Sequence, residues 1–323
     1  MIRTENLTKR YENHLAVADL CLDVRAGEIY GFLGPNGAGK TTTIHMLLGL
    51  IWPTSGQLFV LDEAITPGLF TYRQAIGVVA EEPAESSKLS GWELVHYFAG
   101  LYGVARPAVR MEELFRRLDL WEVRHGLARD YSRGMRQKLS LIRALVHQPR
   151  LLILDEPVSG LDPHGIREVR ELIDDYRDAG GTVFISSHIL SEIEHTADRI
   201  GILHEGRLLV EDTMSGIRRR LAQQQRLTIE LDTIPDGLVD RLEQDPAVET
   251  VRREARRLHL VLRGIGDERP RLSRLITEAG GVILSMQADE MSLEEAFVTI
   301  TSQNVAAISG VATAAGGNRR RRG

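Results

Sequence analysis

The 323-residue chain has a single cysteine, Cys21, so no internal disulfide can form and the fold has to rest on its apolar core, as in a reducing compartment. Lysine is scarce. Only 4 of the 40 basic residues are Lys, a bias that points to genome composition rather than to function. No apolar run approaches the ~18 residues of a membrane span, and the opening stretch MIRTENLTKRYE lacks the apolar centre of a secretory signal. There is no excess of positive charge. The 40 basic and 45 acidic residues give a net charge of −5, unlike a general nucleic-acid binder, so no nucleic-acid partner is expected. No period of 20–50 residues repeats, which excludes a solenoid. What is present is ordinary for a globular protein, with 43% apolar and 26% charged residues. The length suggests two domains at about 150 residues each. The expected location is the cytoplasm, with any membrane role supplied by a partner.

Four short, nearly continuous apolar runs read as buried parallel strands: EIYGFL from Glu28, IGVV from Ile76, LLIL from Leu151 and TVFIS from Thr182. Between the second and third, GWELVHYFAGLYG, VRMEELFRRLDLW and SRGMRQKLSLIRALVHQ space their apolar residues helically. The reading is an α/β core, residues 1–220, with an inserted helical subdomain over about 90–148. A basic polar helix, SGIRRRLAQQQ from Ser215, looks like a linker. A second domain is expected over 226–301. There LTIEL is a strand, PDGLVDRLEQ a helix opened by Pro235, and VETVRREA with RLHLVLRG a hairpin. RPRLSRLITEAG is a helix ending at Gly280 and GVILSMQ a last strand, which completes the β-α-β-β-α-β order of a small α+β ferredoxin-like unit. MSLEEAFVTIT follows, with Ser292 and Glu295 spaced as a capping box. Residues 302–323 are too poor in large apolar side chains to fold, and they end on Arg319 to Arg322, a tail that is either solvated or set against anionic lipid. The charge divides into −4 over 1–225 and −1 over 226–323.

GPNGAGKT, Gly34 to Thr41, fits G-x-x-x-x-G-K-[ST] and lies between an apolar strand and the helix TTIHMLLGL. Glycines let backbone N–H groups turn inward around phosphate oxygens, and the following helix adds its positive dipole end. Gly34, Pro35, Asn36, Gly37, Ala38, Gly39, Lys40, Thr41 and Thr42 are the candidate phosphate-binding residues. Lys40 would reach the terminal phosphates and Thr41 would ligate Mg²⁺. LLILDEP, from Leu151, delivers Asp155 and Glu156 to the carboxyl end of a buried strand, where such sheets place ligands. Asp155 suits the Mg²⁺ shell, and Glu156 suits the base that orients or deprotonates an attacking water.

Further motifs turn this phosphate site into a family resemblance. YSRGMRQKL, from Tyr131, resembles the LSGGQ signature of ABC transporter ATPases; SGLDP, from Ser159, resembles their D-loop; His188 in FISSHIL stands where their switch histidine does; and Tyr11 matches their adenine-stacking aromatic. The likeness covers about 1–220 and implies a P-loop NTPase core that binds ATP with Mg²⁺ and hydrolyses it. It also implies a homodimer closed head to tail around ATP. In it Ser132 and Gly134 meet the γ-phosphate held on a second subunit, Asp162 crosses the interface, and His188 holds the γ-phosphate and water.

Two departures stand out. Tyr131, Arg133 and Met135 replace the commoner Leu, Gly and Gln of the signature, and Glu81, or Glu82 one residue on, stands where many members have the Q-loop glutamine. A carboxylate there can still hold Mg²⁺ or water. These substitutions and the ending MSLEEAF resemble the antibiotic- and multidrug-export branch, in which ATPase and permease are separate chains. The resemblance therefore implies a subunit that powers an integral membrane permease from its cytoplasmic face, exporting a drug-like, antibiotic or lipid-like substrate. The alternative is a soluble ABC-type ATPase regulating a non-transport assembly, but tandem cassettes and long coiled-coil insertions are missing. The second domain carries no phosphate, metal or nucleophile motif and reads as dimer support or as a ligand sensor.

Overall fold

A computed structural model describes residues 1–81, 88–217, 224–263 and 267–289. The chain divides into two compact units, Met1–Thr213 and Met214–Gly323.

The first unit is built on two sheets. Its strands are β1 (Ile2–Tyr11), β2 (His14–Val24), β3 (Ile29–Leu33), β4 (Ser55–Val60), β5 (Glu63–Ala64), β6 (Ile76–Val79), β7 (Leu151–Asp155), β8 (Thr182–Ser187), β9 (Arg199–His204) and β10 (Arg207–Thr213). The larger sheet has the order β10-β9-β3-β8-β7-β6. Its central neighbours run parallel, and β10 pairs antiparallel with β9. Every residue of β3, β7 and β8 is buried, as a sheet covered on both faces requires. Phe184 on β8 lies between Tyr30 and Phe32 of β3, with ring centroids 5.8 and 5.2 Å away. The smaller sheet is antiparallel, in the order β2-β1-β4-β5, and its buried residues Leu20, Leu22 and Val24 alternate with exposed Cys21 and Asp23.

The helices of this unit are α1 (Lys40–Leu47), α2 (Gly91–Leu101), α3 (Ala108–Arg117), α4 (Arg133–Leu145), α5 (Pro163–Asp178) and the short α6 (Leu190–Ile193). Their starts follow from local chemistry. Ser90 and Glu93 form a capping box at α2. Ser132 caps α4 by accepting from the Met135 N–H. Asp162 caps α5, with Pro163 in the first turn where its missing N–H costs nothing.

The second unit contains β11 (Gln224–Leu231), α7 (Leu238–Glu243), β12 (Val248–Glu254), β13 (Arg257–Arg263), α8 (Arg269–Glu278) and β14 (Ile283–Asp289). The sheet order is β12-β13-β11-β14, antiparallel throughout, which is the ferredoxin-like arrangement. Leu227, Ile229, Leu258 and Leu260 of the sheet pack with Leu238, Leu272 and Ile276 of the helices. One expectation needs correction. Pro235 does not open α7, because Gly237 takes a left-handed conformation, φ 77°, and the helix begins after it at Leu238. Gly280, φ 87°, follows the end of α8 as its sequence suggested. The Ser292–Glu295 capping box, the tail with Arg319 to Arg322, Glu82 and part of the linker after Ser215 lie outside the described residues. No helix among the described residues is long and apolar enough to cross a membrane.

Candidate functional site

The loop between β3 and α1 turns through two glycines in the left-handed region, Gly37 at φ 80° and Gly39 at φ 106°. A side chain at Gly39 would run into the Ala16 carbonyl, so this residue type is required for both conformation and space. Gly34 packs against the Leu203 backbone and Ala38 is buried, so these two hold the loop rather than line its opening. Lys40, the first residue of α1, is 7% exposed. Its Nζ donates to the Gly34 carbonyl at 2.7 Å and lies 3.6 Å from Glu156 Oε1. Thr41 Oγ1 donates to Asp155 Oδ2 at 3.2 Å.

Strand β7 brings both acids to this loop. Asp155 pairs in register with Ser186 of β8, whose hydroxyl donates to Asp155 Oδ1. Glu156 follows in the left-handed region, φ 50°, a conformation that costs a non-glycine residue roughly 1–3 kcal/mol and is typical of sites whose surroundings over-determine it. Here the surroundings are the Ser186 carbonyl, which accepts from the Glu156 N–H at 3.2 Å, and Gln137 of α4, whose amide donates to the Glu156 carbonyl at 3.4 Å. The turn directs the Glu156 carboxylate to His188 Nδ1 at 3.0 Å as well as to Lys40. The His188 loop is tied at its root. The Ser187 hydroxyl accepts from the Ile189 N–H at 3.0 Å and donates to Glu192 Oε2 at 2.7 Å. Burial, with the Glu156 charge adding to it, raises the Glu192 carboxyl above its ordinary range. Ser186, Ser187 and Glu192 were not among the residues expected from the motifs. The run SSHILSE beside His188 was the only available signal, and serine there is too common to read.

A cavity of about 360 Å³ gathers most of the expected residues. Pro35, Asn36, Gly37, Gly39, Lys40, Thr41 and Thr42 line it from the loop, Asp155 and Glu156 from β7, Tyr11 from β1, and Glu81 from the end of β6. The Tyr11 ring is 44% exposed, open to a flat ligand on its free side, with Lys9 Nζ 5.0 Å from its centroid. Ser132, Gly134 and Asp162 are elsewhere. They line a separate cavity of about 550 Å³ with Arg133, Lys138 and Gly160, and none of them reaches the first cavity. A larger recess of about 730 Å³ is lined by Tyr176 and by both partners of the Arg117–Asp175 ion pair, 2.5 Å apart, among others, and holds no motif residue.

Backbone donors around a left-handed glycine loop, a buried lysine and a hydroxyl–carboxylate pair suit a polyphosphate. A buried carboxylate bonded to an imidazole can take a proton from water beside it. Comparison with known proteins agrees. A family model described as "ABC transporter" matches residues 17–159, and a second model, for an AAA domain, matches 127–194. The bacitracin transport ATP-binding protein BcrA of Bacillus licheniformis is 38% identical over 309 residues, covering 93% of this chain and 97% of the relative. BcrA of Enterococcus faecalis is 42% identical over 222 residues, covering 68% and 71%. A solved ATP-binding subunit of an ABC transporter superposes with a TM-score of 0.64 at 31% identity, covering 68% of this chain and 92% of that one. With a phosphate loop, a paired Asp155 and Glu156 and a full-length relative in agreement, the chain belongs to the ATP-binding, ATP-hydrolysing subunits of ABC transporters.

Proposed function

We propose that this subunit powers a separate membrane permease that exports a peptide antibiotic or another drug-like or lipid-like compound, and that two copies close head to tail around ATP to do so. The separation of the motif residues into two cavities carries the dimer reading. Ser132, Gly134 and Asp162 face one opening and Lys40 and Glu156 another, so the signature and D-loop residues of one chain do not reach its own phosphate loop. A second copy would supply them. The export reading is supported by relatives named for bacitracin transport.

The proposed division of labour follows the geometry. Tyr11 stacks on adenine. The N–H groups of Gly37 and of Gly39 to Thr42 hold the phosphates, and Lys40 exchanges its Gly34 contact for the β- and γ-phosphates. Thr41 and Asp155, 3.2 Å apart through hard oxygen donors, fit Mg²⁺, with Glu81 completing the acidic side; when bound, the ion neutralises charge on the phosphates. Glu156 accepts the proton of the attacking water, and His188, 3.0 Å from that carboxylate, holds the γ-phosphate and the water. ADP and phosphate leave, and Glu156 returns its proton to solvent.

The location that follows is the cytoplasmic face of the membrane, through the permease. The Met214–Gly323 unit supports dimerisation. A chain cut after Gln225 would then keep ATP binding and lose concentration-dependent ATPase activity. Affinity purification from native membranes tests the main reading. An integral membrane protein should co-purify in a stoichiometric complex, and recovery without one overturns it.

A further inference from the structure

The geometry points to Arg133 as a phosphate-contacting residue that acts in trans, on the terminal phosphate of ATP held by a second subunit. This rests on the head-to-tail reading above. In the family signature this position is commonly glycine, which has no side chain to offer a ligand, whereas here the first residue of α4 carries a guanidinium.

Arg133 is exposed and lines the 550 Å³ cavity together with Ser132 and Gly134. Its stem lies over Gly160 of the D-loop, which is left-handed at φ 78° and bare. A Cβ there would come within 2.8 Å of Arg133 Cδ and Nε. Its Nη2 donates to the Ser159 hydroxyl at 2.9 Å. That acceptor is neutral, and Arg133 forms no ion pair among the described residues. Of the other charges lining this cavity, Lys138 is committed to Glu168 at 2.6 Å and the Asp162 carboxylate to the Gly165 N–H at 2.8 Å, while the Asp119 carboxylate lies outside ion-pair distance of Arg133. The cavity wall therefore holds one cation with most of its five N–H donors directed at no carboxylate, held in place by a weak, exchangeable contact.

A guanidinium fork matches the non-bridging oxygens of a phosphate and keeps its charge at any physiological pH. Exchanging a neutral hydroxyl for a γ-phosphate oxygen is favourable in direction, and the Ser159 contact keeps the side chain from folding away in the free subunit. Arg133 makes and breaks no covalent bond and moves no proton. It stabilises charge on the terminal phosphate as the two subunits close, the part a trans-acting arginine plays in other phosphoryl-transfer enzymes.

The test uses the full chain carrying Glu156→Gln, which should hold ATP without turnover, and follows dimerisation by sedimentation with ATP and with ADP. Adding Arg133→Ala should weaken the ATP-driven dimer at least ten-fold. It should leave the ADP state and the ATP affinity of the dilute monomer unchanged, the latter also showing that the variant is folded. Arg133→Lys should recover part of the loss. Ser159→Ala, which removes only the holding contact, should dimerise at least as well as its parent. An ATP-driven dimer unaffected by Arg133→Ala overturns the inference. So does a Ser159→Ala loss equal to that of Arg133→Ala, which would make the pair an internal latch. If the parent Glu156→Gln chain does not dimerise with ATP at all, the head-to-tail reading itself fails, and that result is distinct from either.

Discussion

Replacing Glu156 by glutamine isolates charge from shape at the centre of the site. The Glu156 carboxylate lies 3.6 Å from Lys40 Nζ and 3.0 Å from His188 Nδ1, with the Lys40 and Glu156 side chains only 7% and 6% exposed. At 3.6 Å the gross attraction between the two charges is about 4–5 kcal/mol at an effective dielectric of about 20. Much of that is offset by the desolvation of both groups. ATP brings its γ-phosphate to the same ammonium, beside a carboxylate that repels it. Glutamine keeps the volume, an acceptor oxygen and the left-handed backbone turn while removing base and charge together. Turnover should fall by about 100-fold or more, the usual contribution of a positioned general base. ATP affinity of the dilute monomer should hold or rise, by up to about ten-fold if freeing Lys40 from its carboxylate partner and removing the repulsion are together worth about 1.4 kcal/mol. The ATP-bound dimer should accumulate. Phosphate release at saturating ATP and Mg²⁺, calorimetry on dilute protein and sedimentation read the three effects. Turnover at the wild-type rate refutes the base assignment, and loss of ATP binding refutes the view that the carboxylate competes for Lys40.

Lys40→Ala removes the phosphate-facing ammonium, a charge-assisted contact of ~1.5–3 kcal/mol, so nucleotide affinity should fall ten-fold or more; unchanged calorimetric affinity would contradict the assignment. Ser132→Arg should abolish hydrolysis while the monomer still binds ATP. It also removes the cap contact to the Met135 N–H, so about 1 kcal/mol of stability should go with it; a monomer unable to bind ATP would put Ser132 in its own chain's site. In the second unit the Arg271 fork, at 2.6 and 2.7 Å, holds the Asp245 carboxyl below its ordinary range. A lowered folded value stabilises above the unfolded value near 3.8 and is lost as the pH falls through the folded one. Arg271→Leu should therefore cost about 1 kcal/mol at pH 7, allowing for the half-exposed guanidinium, and less at pH 3 by chemical denaturation; an equal cost at both would show the loss to be packing.

Legibility in the sequence tracked how each element is buried. Strands β3, β6, β7 and β8 are covered on both faces or nearly so, and their side chains run apolar without interruption. The antiparallel sheet of β1, β2, β4 and β5 shows no comparable run, and β9, buried and apolar over 200–203 yet absent from the expected strands, is the exception to this pattern. In β1 the alternation is broken by register shifts between Thr4 and Leu7 and again before Lys9 and Arg10, with Asn6 left-handed at φ 48°. A period-two pattern cannot survive such irregularities. In the second unit β13 buries every second residue, Leu258, Leu260 and Leu262, and β11 does the same through Leu227, Ile229 and Leu231, so LTIEL and RLHLVLRG alternate cleanly and are legible. Pro235 misled because its helix-starting preference is local, and the left-handed Gly237 two residues on sets where α7 begins.

The site divides along the same line between what is local and what is not. A phosphate loop is continuous in the chain, so seven of its residues share a cavity simply because they are neighbours. The signature and the D-loop lie about 90 residues or more beyond the phosphate loop, and their relation to it depends on α4. That helix is capped by Ser132 in the second cavity, and five residues later buried Gln137 touches the Glu156 carbonyl at the edge of the first. One face of the helix thus meets the segment from Glu156 to Asp162 twice, through Gln137 to Glu156 and through Arg133 to Ser159. A displacement of Ser132 and Arg133 by a ligand outside the chain would bear on the backbone that holds Glu156 in its left-handed turn. Motif order alone carries no trace of that contact, because Gln137 reads in sequence as one polar residue of an amphipathic helix, and only its burial beside a strained main chain gives it a role.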